Sequence, residues 1–364
     1  MTESLFIFGN GLGRSIDNDA YQLKTAMQAV WEKGDNGLSN VQKRIIRKTL
    51  KMRGDDITVG PQDEDQLKTI QEVVFACELL MKIERVELPF ASDEQNDTLA
   101  KLTEDAAKLP DALRTYVRQV AIQFLGTDNG NLDEKFSQGL TDFIKKSSKA
   151  VHIATTNYDD LLYDAFFSNT QTLNYRLIDG CLPDVNRQLV FNRPKSENEY
   201  LTAPNRGWYL HLHGSPLYVD MDGNVRKLRR SDFSQPENFE LPGHIVLTHY
   251  DFKKRIIEGS PILNAYWNIF CEKLSKSTNI ILFGMSGDDE HINEAIKKYA
   301  HPNAVIRVVD WCDENENEKE AKKERWKEKL GDKFDTTNLV LLPNVQNFTE
   351  WAAPTVTQGA RDIR

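Results

Sequence analysis

The stretch Val151-His152-Ile153-Ala154-Thr155-Thr156-Asn157-Tyr158-Asp159-Asp160-Leu161-Leu162 decides the fold. Its first half reads as a buried strand and its second half as the start of a helix, over residues 158–167. Strand-to-helix junctions in α/β proteins open at the carboxyl edge of the sheet, where ligands bind. Thr155, Thr156, Asn157 and Asp159 crowd into this one. Thr, Asn and Asp also stabilise helix starts, so the stretch by itself leaves capping and ligand binding open.

The same pattern recurs along the chain. Leu5-Phe6-Ile7-Phe8 is an apolar strand followed by Gly9-Asn10-Gly11-Leu12-Gly13-Arg14-Ser15. Glycines at this density permit tight turns and close approach of backbone to a phosphate. The spacing departs from the dinucleotide fingerprint, because Arg14 stands where its last glycine belongs. Trp208-Tyr209-Leu210-His211-Leu212-His213-Gly214-Ser215 is another apolar strand with a polar, glycine-containing end, and His211 is a candidate support for His213. Ile280-Ile281-Leu282-Phe283 has the continuous apolar character of a parallel strand covered on both faces, closed by Gly284-Met285-Ser286-Gly287-Asp288-Asp289. Val305-Ile306-Arg307-Val308-Val309-Asp310 ends on an acid, placed for a ribose hydroxyl or for a cap. Leu339 to Leu342 supply a last strand.

These observations predict an α/β fold: an open, mostly parallel Rossmann-like sheet with a helical insertion domain. Residues 1–16 and 150–354 form the sheet domain in this reading, and residues 17–149 the insertion. Within the insertion, Tyr21, Leu23, Met27, Val30 and Trp31, then Leu67, Ile70, Val73, Val74 and Cys77, then Leu113, Tyr116, Val117 and Val120, then Phe136, Leu140, Phe143 and Ile144 recur at helical spacing. They read as core packing, in a unit that caps the site or supplies an assembly surface. Elsewhere, short strands are expected at 173–178 and 188–191, and at Ile245-Val246-Leu247-Thr248. A hairpin is expected across Met221-Asp222-Gly223-Asn224. A short helix is expected over residues 348–353, and a disordered tail over 355–364.

The combination Thr-Thr-Asn-Tyr-Asp at 155–159 and Leu-His-Gly-Ser at 212–215, with the glycine stretches at 8–13 and 282–288 in the same order, resembles the sirtuin superfamily. The resemblance implies an NAD-binding domain in which Asn157 and His213 are the catalytic residues of NAD cleavage. It implies contacts to the dinucleotide from Gly9, Asn10, Gly11, Gly13, Thr156, Asp159, Gly284, Ser286 and Asp288, joined by Asp310 at its strand end. The activity expected is an NAD glycohydrolase releasing nicotinamide and ADP-ribose or a cyclic product, of the sirtuin-like kind that acts in bacterial anti-phage abortive infection. The alternatives are an NAD-dependent protein deacylase and a non-catalytic sensor of NAD or ADP-ribose. Such effectors are held silent until triggered, so a homo-oligomer or a partner is expected, one known arrangement being a HerA-type hexameric ATPase.

Composition sets the outer bounds. The 364 residues are 40% hydrophobic and 28% charged, with a formal charge of −9, which suits a globular protein and disfavours nucleic acid as a primary partner. No apolar run reaches the roughly 18 residues of a membrane span. Met1-Thr2-Glu3-Ser4 lacks the basic start of a secretory leader, so a cytoplasmic protein is expected. Cys77, Cys181, Cys271 and Cys312 are widely separated, with no Cys-x-x-Cys pair. The paired-cysteine zinc module of deacylating sirtuins is therefore not expected, and no metal ligands are assigned.

Overall fold

A computed structural model describes residues 3–33, 37–52, 57–84, 92–125, 131–147, 149–163, 177–185, 188–192, 207–221, 223–228, 243–313 and 315–351. The first strand, β1 (Glu3–Phe8), pairs in parallel with β2 (Val151–Thr155) on one side and β9 (Ser277–Phe283) on the other. With β3 (Leu177–Ile178), β6 (Gly207–His211), β10 (Val305–Trp311) and β11 (Leu339–Leu342), they make a seven-stranded sheet in the order β11-β10-β9-β1-β2-β6-β3. Every pairing in it is parallel.

The alternation of side chains along β1 shows why the sheet is buried on both faces. Leu5 and Ile7 enter one core with Ala154, Leu210, Ile280, Leu282 and Val308. That face is covered by α8 (Tyr250–Gly259), α9 (Pro261–Lys276), α10 (Glu290–Tyr299) and α11 (Glu316–Leu330). Phe6 and Phe8 enter the other, with Ile153, Tyr209, Ile281, Phe283 and Val309. The chain runs outward from β1 through β2 and β6, then returns to the opposite side of β1 as β9. This reversal of strand order opens a crevice between the β1 and β9 loops.

Between β1 and β2 the chain forms α1 (Gly11–Arg14), α2 (Leu23–Glu32), α3 (Asn40–Thr49), α4 (Glu64–Glu84), α5 (Asp93–Gln123) and α6 (Glu134–Lys146). Helices α2 to α5 share their own core, in which Met27, Trp31, Ile46, Ile70, Tyr116 and Val120 are buried. Helix α6 differs from them. Its Phe136, Leu140 and Ile144 lie against the sheet with Phe6 and Phe283, so α6 is a covering helix of the sheet. Helix α3 carries a capping box between Ser39 and Gln42, a signal present in the sequence but missed in the periodicity.

A second sheet, antiparallel, is built from β4 (Cys181–Pro183), β5 (Leu189–Phe191), β7 (Tyr218–Met221) and β8 (Asn224–Lys227) in the order β4-β5-β8-β7. It contains the expected hairpin, with Gly223 at φ +75° in the turn. Three expectations need correction. Residues 245–248 make only an isolated bridge, Gly214 to Ile245, because Ile245 and Leu247 are drawn into the helical core while Val246 enters the sheet core. Around residue 348 there is a short 3-10 turn, Val345–Asn347, and no helix as far as Trp351. The junction helix begins at Leu161, three residues later than its expected start, as α7 (Leu161–Tyr163). The rest of that expected helix, most of the strand at 173–178 and the tail at 355–364 lie outside the described residues. Among the described residues no helix is long and apolar enough to cross a membrane.

Candidate active site

The strand ends supply the site. A cleft of about 1020 Å³ at the carboxyl edge is lined by the loops after β1, β2, β6, β9 and β10, at the upper end of the roughly 300–1,000 Å³ common for small-molecule sites. Asn157 and His213 both line it, as do Gly9, Asn10, Gly11, Thr156, Asp159, Gly284, Ser286, Asp288 and Asp310. Gly13 does not. It packs on the Tyr21 ring, which lies 2.4 Å from where a Cβ would stand.

The glycines are needed first for loop against loop. The Gly11 amide donates to the Gly284 carbonyl at 2.8 Å, and a Cβ on Gly11 would meet that oxygen at 2.6 Å. Gly284 itself sits at φ +61°, a conformation that favours glycine. The Gly9 and Leu12 amides are also taken within the protein, by the Phe283 and Gly9 carbonyls. Asn10 donates its side-chain amide to the Tyr21 carbonyl. This interlock fixes where the β1 and β9 loops face the crevice.

Asn157 ties the β2 loop to the β1 loop. Its Nδ2 donates to the Gly9 carbonyl at 3.0 Å, and its backbone amide donates to Thr155 Oγ1 at 3.0 Å. Its Oδ1 is buried without a hydrogen-bond partner. Such an acceptor costs about 1–3 kcal/mol until something donates to it. Thr156 is held back on β1, with its amide bonded to the Phe8 carbonyl. Asp159 accepts from the Leu161 amide at 3.3 Å, so the capping reading of this stretch is also met. Burial pushes the Asp159 carboxyl up to about 7, against the bonds from Leu161 and Asn157.

His213 follows the end of β6, where Gly214 takes φ +84°. Its Nε2 lies 2.9 Å from Nε2 of His291, on α10, and the two rings are stacked at 5.1 Å. Trp267 stacks on His291 in turn. The Thr156 carbonyl hydrogen-bonds the His213 ring; a proton on Nδ1 serves that bond, and the Nε2 lone pair then accepts the Nε2–H of His291. Burial holds His213 well below the usual histidine range, although Asp289 opposes it. His213 is thus neutral at neutral pH. His211 lies beneath, against Tyr209 and Tyr218, with its ring bonded to the Asn157 backbone carbonyl. It orients the loop that carries Asn157.

A charged chain reaches His213 from the helical insertion. Lys253 Nζ lies 2.8 Å from Asp289 Oδ1 and 3.5 Å from Glu64 Oε2 at the start of α4, and Asp289 Oδ1 lies 3.9 Å from His213 Nε2. Burial lowers the Lys253 ammonium, but Asp289 and Glu64 outweigh it and raise the net value. His291, Asp289, Lys253 and Glu64 were not singled out in the sequence, since no motif marks them. Asp310 is taken up within the protein: its carboxylate accepts from Lys322, from the Trp326 indole and from the Trp311 amide. Ser286 accepts the Asp288 amide, and Asp288 pairs with Arg325 at the cleft mouth.

Residues 151–331 match the family model described as a SIR2-like domain. The chain carries a SIR2-like domain. The match begins at β2, after the helical segment that separates β1 from β2 along the chain. The SIR2-like domain therefore includes Asn157, His213, the β9 loop and Asp310, and the glycine loop after β1 joins it through space. A sirtuin-like, NAD-related function goes with the SIR2-like domain, whose family uses NAD as substrate. No curated protein matches the chain.

Proposed function

We propose that the chain is an NAD glycohydrolase, releasing nicotinamide and leaving ADP-ribose or its cyclic form. The observation that carries this reading is the orphaned Asn157 Oδ1, buried in the same cleft as a His213 that burial keeps neutral. A ribose hydroxyl donating to Oδ1 removes the cost of the unpaired acceptor, so the site favours a polyhydroxylated ligand. A neutral amide also sits beside growing positive charge at the sugar without opposing it.

In hydrolysis the bond from the ribose carbon to nicotinamide breaks, and the electron pair leaves with a neutral nicotinamide. A water oxygen bonds to the carbon, and its proton passes to His213 Nε2, where it replaces the hydrogen bond from His291. A general base contributes roughly 100- to 10,000-fold. Burial makes His213 a weaker base than a free imidazole but keeps it unprotonated well below neutral pH, so it is ready at any physiological pH.

The test is nicotinamide release from NAD by the purified full chain, with Asn157→Ala and His213→Ala alongside. Each variant is expected to lose at least about 100-fold. Release unchanged in either removes the role assigned to that residue. With this activity we propose the wider role of effector in bacterial anti-phage abortive infection, as an oligomer or with a partner such as a HerA-type ATPase. The support is the sirtuin-like resemblance together with a helical insertion whose Glu64 and Asp65 line the cleft. NAD loss in infected cells, compared between the wild-type chain and Asn157→Ala, tests that role.

A further inference from the structure

We propose that His213 Nε2, His291 Nε2 and an Asp289 carboxylate oxygen form a site for a divalent transition-metal ion of zinc type, and that this ion and NAD cleavage exclude each other. The exclusion rests on the reading of His213 as the base; the metal site does not.

Among the described residues these three offer donors that all lie within 4.8 Å of one another. The two imidazole nitrogens are 2.9 Å apart and the carboxylate oxygen is 3.9 Å from His213. Two nitrogens on a tetrahedral zinc ion at about 2.0–2.1 Å stand roughly 3.3 Å apart. The histidines need to open by a few tenths of an ångström, and the carboxylate, 3.9 Å from His213 and within 4.8 Å of His291, to close by roughly half an ångström or more. Two imidazoles and one carboxylate with an open position form a donor set that suits zinc and its neighbours.

The surroundings supply what such ligands need. A ligating histidine ordinarily gives its other ring N–H to a carbonyl or carboxylate, which fixes the tautomer and orients the ring. His213 meets this through the Thr156 carbonyl. His291 is held between His213 and Trp267. His213 stands in the turn directly after β6 and His291 in the first turn of α10, and Asp289 immediately precedes that helix without capping it through its side chain.

Lys253 is the opposing group, at 2.8 Å from Asp289 Oδ1. Glu64 stands on its other side at 3.5 Å. With both carboxylates ionised the trio carries one net negative charge, which still attracts a dication. An ion in place takes up the Nε2 lone pair of His213. His213 then no longer accepts the proton of water, and hydrolysis by that route stops. Removing the ion restores it.

The experiment is equilibrium binding of Zn²⁺, and of Co²⁺ as a spectroscopic substitute, to the full chain without NAD. His291→Ala and Asp289→Asn are measured beside it, each first checked for a wild-type circular-dichroism spectrum. One equivalent bound, weakened more than about 100-fold in each variant, is expected, beyond the 10- to 100-fold typical of outer-shell losses. His291→Gln serves if the alanine variant fails to fold. No binding by the wild type at millimolar ion, or wild-type binding by both variants, overturns the site. A second arm measures nicotinamide release with Zn²⁺ and then with excess chelator. Inhibition that the chelator reverses supports exclusion, and full activity on the ion-loaded chain overturns it. A chain that binds the ion and never cleaves NAD refutes the glycohydrolase reading while leaving the metal site standing.

Discussion

Replacing Asp159 by Asn is expected to stabilise the protein, and more so as the pH rises. The carboxyl is raised from 3.8 to about 7 by burial. An acid protonated in the folded chain and ionised in the unfolded one binds more protons when folded, so stability falls as pH rises between those two values. At 1.36 kcal/mol per unit, a shift of about 3 units corresponds to a penalty of roughly 4 kcal/mol above pH 7 and about 1.5 kcal/mol at pH 5. Asn has the same shape, does not titrate, and serves equally well as a cap for the Leu161 amide. The gain of Asp159→Asn over wild type therefore grows by about 2 to 3 kcal/mol from pH 5 to pH 8. Urea unfolding at both values, followed by tryptophan fluorescence, measures it. A difference that does not change with pH, or a loss of stability at pH 8, refutes the account of why this carboxyl is buried. Nicotinamide release by the same variant completes the test, because a polar group kept at the expense of stability in a cleft is the mark of a functional residue. We expect the more stable variant to be the less active one.

Gly11→Ala places a methyl group 2.6 Å from the Gly284 carbonyl; we expect a loss of about 1–3 kcal/mol, as for other overpacked sites, with a fall in nicotinamide release, and a wild-type melting curve counts against the interlocked loops. Lys253→Met leaves the half-buried Asp289 and Glu64 carboxylates without their shared cation, and we expect a loss of roughly 1–3 kcal/mol, below the cost of breaking a fully buried pair; Glu64→Gln together with Lys253→Met recovers part of it if the charges are coupled as described. Acid stability is expected to fall below about pH 6.5, where unfolded histidines gain protons. His152, His211, His213 and His291 are all held lower in the folded chain by burial, His211 to about 3 and His291 to about 4. The unfolded state then binds more protons and stability declines with falling pH. Asp159 works the other way in the same window, so the decline is steeper in Asp159→Asn; a flat profile from pH 6.5 to pH 4.5 in that variant is the contrary result.

The parallel sheet was legible because each of its strands announces itself locally: an apolar run wide enough to be covered on both faces, then a polar or glycine turn. That is also why the candidate site was largely readable. Loops at the carboxyl ends of parallel strands converge by topology alone, so Gly9, Asn157, His213 and Gly284 could be brought together before any contact was known. What those loops use their polar groups for was not readable. The density of glycines after β1 suggested amides turned toward a phosphate, whereas the Gly9, Gly11 and Leu12 amides are bonded inside the protein and the missing Cβ atoms make room for the β9 loop.

The rest of the site depends on where helices dock. His291 lies in the first turn of an ordinary amphipathic helix, Lys253 two helices earlier on α8, and Glu64 in an insertion far away in sequence. None is marked by spacing, because the distance that matters is set by how α4, α8 and α10 meet over the β6 end. The same fact gives the insertion a place in the chemistry. Strands β1 and β2 are hydrogen-bonded neighbours, Phe8 beside Thr155, yet the chain leaves the sheet between them and comes back across the cleft through Glu64 to Lys253, Asp289 and His213. A displacement of α4 that withdrew Glu64 would leave Lys253 to Asp289 alone and alter the field at the imidazole. The helical unit is thus linked to the His213 imidazole through two ion pairs, a far shorter route than through the sheet.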